Sequence, residues 1–289
     1  MQTGAPTPPL TLPLWSAPKS PTPPFAIPSE DPAPTHYPDP QDTPTLTLYP
    51  RDDQPRPCLI ICPGGGYQAL AFHEGEPVAK RFHDAGFHTA VLLYRLGPRH
   101  HHPAMLHDAQ RAIRLLRARG TELGINSNGK ISILGFSAGG HLAASAAIRH
   151  DPTTCAPCPD DDLAATTSAR PDAAVMAYPV VHLAGPHAHL GSSHNLLGES
   201  PNPQHLADLD LPAHINTNTP PLFLWHTAPD PVAPQGSLDL AAACIQHGVP
   251  VDLRLYETGK HGLGLAPNHP LAQDWSTDAI AFLKRHLLP

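Results

Sequence analysis

Short apolar runs alternate with segments of helical apolar spacing from residue 45 to the C terminus, and this alternation constrains the fold most strongly. Continuous apolar runs are typical of strands buried on both faces of a sheet. Strands that alternate with helices form a mostly parallel, doubly wound sheet flanked by helices, so the sequence predicts an α/β fold. The predicted strands are 46–49, 58–62, 88–94, 130–134, 173–178, 222–225 and 251–256, and the predicted helices are 75–85, 104–119, 138–149, 235–247 and 271–287.

Proline divides the chain into two parts. Residues 1–44 are crowded with proline and have few apolar runs, which predicts an extension that wraps the surface or is partly disordered. Residues 45–289 carry one continuous pattern, and their length is within the range of a single large α/β domain. Because the stretch 179–220 lacks a regular pattern, we expect it to cap or rim the active face.

Charge and hydropathy exclude several classes of partner. The formal net charge is -7 and no long basic run is present, which argues against nucleic acid and anionic membrane surfaces. The sequence contains no run of about 18 apolar residues, so it predicts no membrane span. The first residues lack the basic start and the apolar stretch of a secretory signal, so the cytoplasm is the expected location. A homo-oligomer is compatible with the sequence, which does not define the oligomeric state.

Neither the five cysteines nor the 21 histidines form a pattern typical of a metal or cofactor site. Cys155 and Cys158 form a C-x-x-C motif in a loop rich in proline and aspartate, without the second Cys/His pair of a zinc site. A local disulfide between them stays open. The consecutive His100, His101 and His102 cannot all point in one direction, and no carboxylates cluster beside them. We therefore expect no metal and no cofactor.

A strand, a G-x-S-x-G turn and a helix follow one another over residues 131–140, with Ser137 at the centre of the turn. This order suits a nucleophilic serine, because a tight strand-to-helix turn exposes the hydroxyl above the sheet edge. The helix N-terminus also offers free N–H groups to a developing anion. A capping serine in a glycine-rich turn is the alternative interpretation, but the clear flanking strand and helix favour catalysis.

Backbone N–H groups that stabilise an oxyanion are expected from two places in the sequence. One is the residue after the nucleophile, Ala138. The other is a glycine-rich loop after an earlier strand, where Gly65 is the preferred donor and Gly66 the alternative. A phosphate-binding loop is the rival interpretation, but it requires a Lys-Ser/Thr pair after the glycines, which this chain lacks.

Candidates for the acid and the base follow the nucleophile in the order that this type of site requires. Asp230 lies after the predicted strand 222–225, and His261 lies in a glycine-flanked loop after the last predicted strand. His261 would take the proton from Ser137, and Asp230 would orient the imidazole. The rival acid, Asp239, falls inside a predicted helix and is therefore set aside.

These motifs make the chain similar to the acetylxylan-esterase-like branch of the α/β hydrolases, which is related to esterases of the hormone-sensitive-lipase type. The resemblance implies an α/β-hydrolase fold and metal-free removal of acetyl or similar small acyl groups, often from carbohydrates such as xylan. The loop at Pro63 departs from it, because the leading histidine of the lipase-type H-G-G-G is missing. The motifs that carry the resemblance are 12–15, 62–67, 73–79, 94–95, 108, 111–114, 135–143, 170–172, 178–180, 195–198, 230–232 and 260–262.

Two further residues are candidates for contact with the substrate. Tyr67 adjoins the oxyanion glycines, and Arg95, at a strand end, either orients a buried loop or contacts substrate. Glu74 and Glu76 could form the carboxylate pair of a glycosidase, but acids before a proline at a helix start favour an interaction with the helix dipole.

The sequence thus predicts a serine carboxylic ester hydrolase that acts on a small acylated substrate. A general short-chain carboxylesterase acting on non-sugar esters is the alternative. A peptidase or amidase of the same fold would usually need an extra domain, for which the single continuous pattern leaves no room. A non-catalytic binding module is disfavoured because all three candidate catalytic residues are present.

Overall fold

Within residues 8–15, 34–51, 54–127, 129–153 and 156–288, which the computed structural model describes, eight strands form one mostly parallel sheet. The strands are β1 Leu10–Pro13, β2 Thr45–Tyr49, β3 Cys58–Cys62, β4 His88–Leu93, β5 Ile131–Phe136, β6 Ala174–Ala177, β7 Leu222–Thr227 and β8 Val251–Tyr256. They lie in the order β1-β2-β4-β3-β5-β6-β7-β8. The pairs β1–β2 and β2–β4 are antiparallel and the others are parallel, which confirms the predicted sheet.

Helices cover the sheet where the sequence predicts them. The helix before β4 has its buried residues at Val78, Ala79 and Phe82, the spacing of one helical face. The third helix is buried at every position because it packs under other elements on all sides, and its small alanines and glycines permit this. The helices are α1 Glu76–Asp84, α2 Ala104–Arg119, α3 Ser137–Ile148, α4 Leu190–Leu197, α5 Pro203–Asp208, α6 Gln235–Gln246 and α7 Trp275–Leu287.

The strand register brings several loops together at one edge of the sheet. Gly135 of β5 pairs with Cys62 at the end of β3, and Phe136 pairs with Ala177 at the end of β6. Ala177 also pairs with Trp225 of β7. Because parallel strands end at the same edge, the loops after β3, β5, β6 and β7 meet there, which is where open α/β sheets bind their ligands.

The N-terminal stretch contributes to the sheet. Leu10–Pro13 pairs antiparallel with β2, with Leu10 opposite Leu48, and the indole Nε1 of Trp15 donates a 2.6 Å hydrogen bond to Asp108. The part of the predicted extension that forms β1 therefore belongs to the same sheet as β2. Most of the predicted extension, residues 1–7 and 16–33, lies outside the described residues.

The stretch 179–220 differs from the irregular segment that its sequence suggests, because it contains the short helices α4 and α5. Both are too short to show a periodic pattern. Among the described residues, none of the helices combines the length and the apolar character that crossing a membrane would require.

Candidate active site

Ser137 begins α3 directly after the last residue of β5, at the edge of the sheet where the loops meet. Its φ of 52° lies in the left-handed region that residues with a side chain rarely adopt. Close backbone contacts require glycine on both sides of Ser137, at positions 135 and 139. A Cβ on Gly135 would lie 1.9 Å from the carbonyl oxygen of Gly139, and a Cβ on Gly139 would lie 2.2 Å from that of Cys62.

Ser137, His261 and Asp230 form a continuous hydrogen-bonded chain. Nε2 of His261 lies 2.8 Å from Oγ of Ser137, and Nδ1 lies 2.9 and 3.0 Å from the two carboxylate oxygens of Asp230. Since a carboxylate only accepts, Nδ1 carries the proton and Nε2 is free to accept from the hydroxyl. This geometry allows His261 to remove a proton from Ser137.

Asp230 is buried, with 6% of its surface exposed, and its orientation is fixed by neighbours. The backbone N–H of Val232 donates a 2.8 Å hydrogen bond to Oδ1. The ring of His226 lies behind it, between the hydroxyl of Ser237 at 2.9 Å and the carbonyl oxygen of Val232 at 3.0 Å. Burial lowers the pKa of His226 to about 4, so this ring is neutral near neutral pH.

The glycine-rich loop after β3 lies directly against the nucleophile. A Cβ on Gly64 would approach Cβ of Ser137 to 3.0 Å. Gly65 and Gly66 have φ values of 135° and 64°, and within the described residues no hydrogen bond uses their N–H groups. Ala138 is the second residue of α3, where backbone N–H groups have no partner inside the helix. Gly65, Gly66 and Ala138 therefore have N–H groups without a hydrogen-bond partner among the described residues, and their role as oxyanion donors stays a prediction.

Comparison with known proteins identifies the family of the chain. The BD-FAE family profile matches residues 45–243, well over half of the chain. The chain belongs to the BD-FAE family. This BD-FAE chain has 39% sequence identity to the crystal structure of an acetyl ester-xyloside bifunctional hydrolase from Caldicellulosiruptor lactoaceticus, with a TM-score of 0.80 and 95% of each chain covered. The predicted resemblance and the α/β-hydrolase fold are confirmed.

Two curated relatives of this BD-FAE chain are larger proteins. It is 34% identical over 231 residues to endo-1,4-β-xylanase B of Butyrivibrio fibrisolvens, an alignment that covers 78% of this chain and 35% of the relative. It is 27% identical over 212 residues to an acetylxylan esterase of Xylanibacter ruminicola, which covers 71% of this chain and 41% of the relative. The chain thus spans less than half the length of either relative.

Both residues predicted to contact substrate make hydrogen bonds within the protein, Tyr67 in the interior and Arg95 at a half-buried position. Tyr67 is 1% exposed, and its hydroxyl lies 2.7 Å from Nδ1 of the buried His141. The guanidinium of Arg95 binds Asp108 at 2.7 Å, donates to the carbonyl oxygen of Ala104 and lies over the indole ring of Trp15. Of the two roles considered for Arg95, its ion pair with Asp108 fits the orientation of a buried loop, and contact of Arg95 or Tyr67 with substrate stays a prediction.

Three side chains near the site were not assigned to it from the sequence. Glu74 and Tyr178 lie between the loops that carry Gly64 and His261, and the amide of Asn195 in α4 donates a 2.8 Å hydrogen bond to the carbonyl oxygen of Gly66. The place of Tyr178 at the end of the central strand β6 is the signal that could have found it. Glu74 and Asn195 lie in the motifs 73–79 and 195–198 that carry the resemblance, but nothing in the local sequence shows that their side chains point toward the site.

The histidine run and the cysteine motif do not form a metal centre in the part of the chain that is described. His100 contacts Asp42 and His101 contacts the backbone of Asn195, so neighbouring rings point in different directions. No group of three or more His, Cys, Asp or Glu side chains within the described ranges is arranged to hold a metal ion. Cys155 lies outside the described residues, and with it the suggested local disulfide.

Proposed function

We propose that this chain is a serine carboxylic ester hydrolase that removes acetyl or other short acyl groups from acetylated carbohydrate such as xylan or xylo-oligosaccharides. The hydrogen-bonded chain from Ser137 through His261 to Asp230 carries the proposal, because it is the arrangement that activates a serine hydroxyl. The names of the similar proteins, an acetyl ester-xyloside hydrolase and an acetylxylan esterase, support the substrate class.

In the acylation step, Oγ of Ser137 attacks the ester carbonyl carbon while Nε2 of His261 takes the hydroxyl proton. The carbonyl oxygen becomes an oxyanion, which accepts hydrogen bonds from the N–H of Ala138 and from that of Gly65 or Gly66. The bond to the alcohol oxygen then breaks, and His261 returns its proton to the departing alcohol. Asp230 stabilises the imidazolium that exists between the two proton transfers.

In the deacylation step, water replaces the alcohol. His261 takes a proton from the water as its oxygen attacks the acyl-serine carbonyl carbon, and the same N–H groups stabilise the second oxyanion. When the bond to Ser137 breaks, His261 protonates Oγ and the carboxylic acid leaves. The cycle consumes one water molecule per ester and requires no other reactant.

The test is acetate release from acetylated xylo-oligosaccharides, measured beside a series of 4-nitrophenyl esters of increasing acyl length. Ser137→Ala should lower kcat/KM by at least about 10⁴-fold, since the nucleophile is removed. Ser132→Ala is the matched control, because Ser132 is buried in the strand before the nucleophile and its hydroxyl has no hydrogen-bond partner in the described structure. That variant should retain the activity of the unsubstituted enzyme.

The outcomes separate mechanism from substrate. Substantial turnover by Ser137→Ala would contradict the serine mechanism. Serine-dependent release of acetate from the oligosaccharides would establish a carbohydrate acetylesterase. Activity confined to short nitrophenyl esters would instead favour a general short-chain carboxylesterase, and faster cleavage of aminoacyl amides than of acetyl esters would indicate a peptidase.

A further inference from the structure

A buried carboxylate, Glu74, lies between the glycine-rich loop after β3 and the loop that carries His261. We propose that Glu74 and Tyr178 form a positioning pair that holds the oxyanion loop and the His261 loop in register around Ser137. The proposal rests on the serine hydrolase function proposed above and adds two residues that do not touch the ester.

The pair links the two loops through three short hydrogen bonds. The N–H of Gly64 donates to Oε2 of Glu74 at 2.8 Å, and the hydroxyl of Tyr178 donates to Oε1 at 2.6 Å. The N–H of Gly264 donates to the Tyr178 hydroxyl at 2.8 Å. The Tyr178 hydroxyl thus accepts from Gly264 and donates its own proton to Glu74. Each of the two carboxylate oxygens of Glu74 therefore accepts one hydrogen bond.

Each end of this chain of hydrogen bonds adjoins a group that reacts. A Cβ placed on Gly64 would lie 2.7 Å from Oε2 of Glu74 and 3.0 Å from Cβ of Ser137, so the carboxylate and the nucleophile flank the same glycine. At the other end, the ring of Tyr178 packs edge-on against the ring of His261, with centroids 5.0 Å apart and planes at 70°. A displacement of Glu74 would therefore shift both the oxyanion donors and the base.

The burial of Glu74 argues against a simple role at a helix start. The residue is 2% exposed, and its carboxylate binds Gly64 rather than the first turn of α1. The neighbouring imidazole, that of His73, has Nε2 3.6 Å from Oε1, and its side chain is 53% exposed. A buried carboxylate without a buried cation depends on its hydrogen bonds, so replacing one donor affects all the groups that it holds.

Tyr178 is suited to serve as the donor at every working pH. Burial, followed by the charge of Glu74, raises the pKa of the Tyr178 hydroxyl well above its usual range, so the proton is retained. The residue has a φ of 37°, in the region that disfavours side chains. Such a backbone persists only where the surrounding structure holds it, here by the hydrogen bonds to Glu74 and Gly264.

The test compares Glu74→Gln, Tyr178→Phe and the double variant in the hydrolysis of 4-nitrophenyl acetate. Each single change should lower kcat about 10- to 100-fold and change KM by less than about threefold, because misplaced groups impair the transition state more than ground-state binding. If the two residues act as one unit, the double variant should lose about as much as the worse single variant.

Matched controls and two further measurements separate positioning from a loss of structure. Glu76→Gln and Tyr256→Phe make the same chemical changes at half-buried positions outside the pair and should leave kcat unchanged. Active sites are counted by complete reaction with a fluorophosphonate, and kcat is expressed per reactive site. Inhibition by an aryl trifluoromethyl ketone, which forms a tetrahedral adduct with a serine, should weaken in proportion to the loss of kcat.

Three results would overturn the proposal. These are a kcat per reactive site equal to that of the unsubstituted enzyme, strictly additive losses in the double variant, and unchanged affinity for the ketone. Ser137→Ala is assayed in parallel so that the two proposals fail separately. Turnover by Ser137→Ala would contradict the serine mechanism itself, whereas an inactive Ser137→Ala beside a fully active Glu74→Gln would contradict only the positioning pair.

Discussion

Ser137 has a left-handed backbone that its surroundings hold in place, since an isolated serine would avoid a φ of 52°. The carbonyl oxygen of Ser137 accepts a 3.0 Å hydrogen bond from the N–H of Val180, and Gly135 and Gly139 allow β5 and α3 to close around it. At the scale of the residue, one additional carbon atom at Gly135 or Gly139 is enough to prevent the turn.

A methyl group at Gly139 should disrupt this turn. In Gly139→Ala, the new Cβ would meet the carbonyl oxygens of Cys62 and Pro63 at 2.2 and 2.4 Å, so we expect a loss of at least about 2 kcal/mol of unfolding free energy and most of the esterase activity. Gly191→Ala is the control, because its Cβ would contact only Cε1 of His189, at 3.6 Å. Urea unfolding measures the free energy of unfolding of both variants. Equal stability of the two variants would contradict the prediction.

Asp230→Asn should preserve the shape of the site and remove its function. The amide group would face Nδ1 of His261 with a donor or a neutral acceptor, which favours the wrong tautomer and leaves the imidazolium without a counter-charge. We expect kcat to fall by about 10³- to 10⁴-fold. Asp239→Asn, the rival acid, lies in α6 and contacts His182 at 2.9 Å, so its kcat should stay near that of the unsubstituted enzyme. A large loss there would reverse the assignment of the acid.

At the scale of elements, α4 is linked to the glycine-rich loop after β3. Asn195 donates to the carbonyl oxygen of Gly66, and a Cβ on Gly97 would lie 2.1 Å from the carbonyl oxygen of Asn195. Nδ1 of His189 accepts from the N–H of Ser192 and thereby caps the start of the helix. An eight-residue helix is marginal by itself, so these contacts to the loops of the sheet stabilise it.

Asn195→Ala tests whether the contact of α4 with the glycine-rich loop supports the site. Loss of the hydrogen bond to Gly66 should loosen the loop and lower kcat/KM about tenfold, with little change in global stability. Asn202→Ala is the matched control, because Asn202 caps the N-terminus of α5 by accepting from the N–H of Gln204. That variant should lose about 1 kcal/mol of unfolding free energy and keep its kcat/KM. The same kcat/KM for both variants would show that α4 does not support the site.

For the whole molecule, histidines whose pKa is lowered by burial link stability to pH, and His141 and His226 are two of them. Burial lowers the pKa of His141 to about 3 and that of His226 to about 4, so both rings are neutral in the folded protein. In the unfolded chain a histidine titrates near pH 6.5. Between these values the unfolded state binds more protons, so stability is complete above about pH 6.5 and is lost as the pH falls.

Unfolding in urea at pH 7, 6, 5 and 4.5 checks this linkage. The two histidines together should remove about 3 kcal/mol of unfolding free energy per pH unit below about pH 6, one proton each. In His226→Gln, the change in unfolding free energy per pH unit should decrease by about half of that value. This variant should be less stable than the unsubstituted protein at every pH measured. A slope that His226→Gln leaves unchanged would contradict the assigned protonation state of this ring.

The sequence by itself determined seven of the eight described strands, most of the helices and the strand ends that precede Ser137, Asp230 and His261. Apolar runs and helical spacing are local signals, and parallel strands bring their carboxyl ends to one edge whatever the rest of the chain does. The structure brings the three side chains within hydrogen-bond distance, while their catalytic roles stay predictions.

Only the tertiary structure decided which other side chains lie near Ser137, Asp230 and His261. Tyr67 lies beside the oxyanion glycines in sequence but turns inward to His141, whereas Glu74, which resembles a helix-start acid, binds Gly64 and Tyr178. The edge strand Leu10–Pro13 and the helix α4 likewise depend on partners distant in the chain. The direction of a side chain and the stability of a short element are set by contacts with distant residues, which no local pattern encodes.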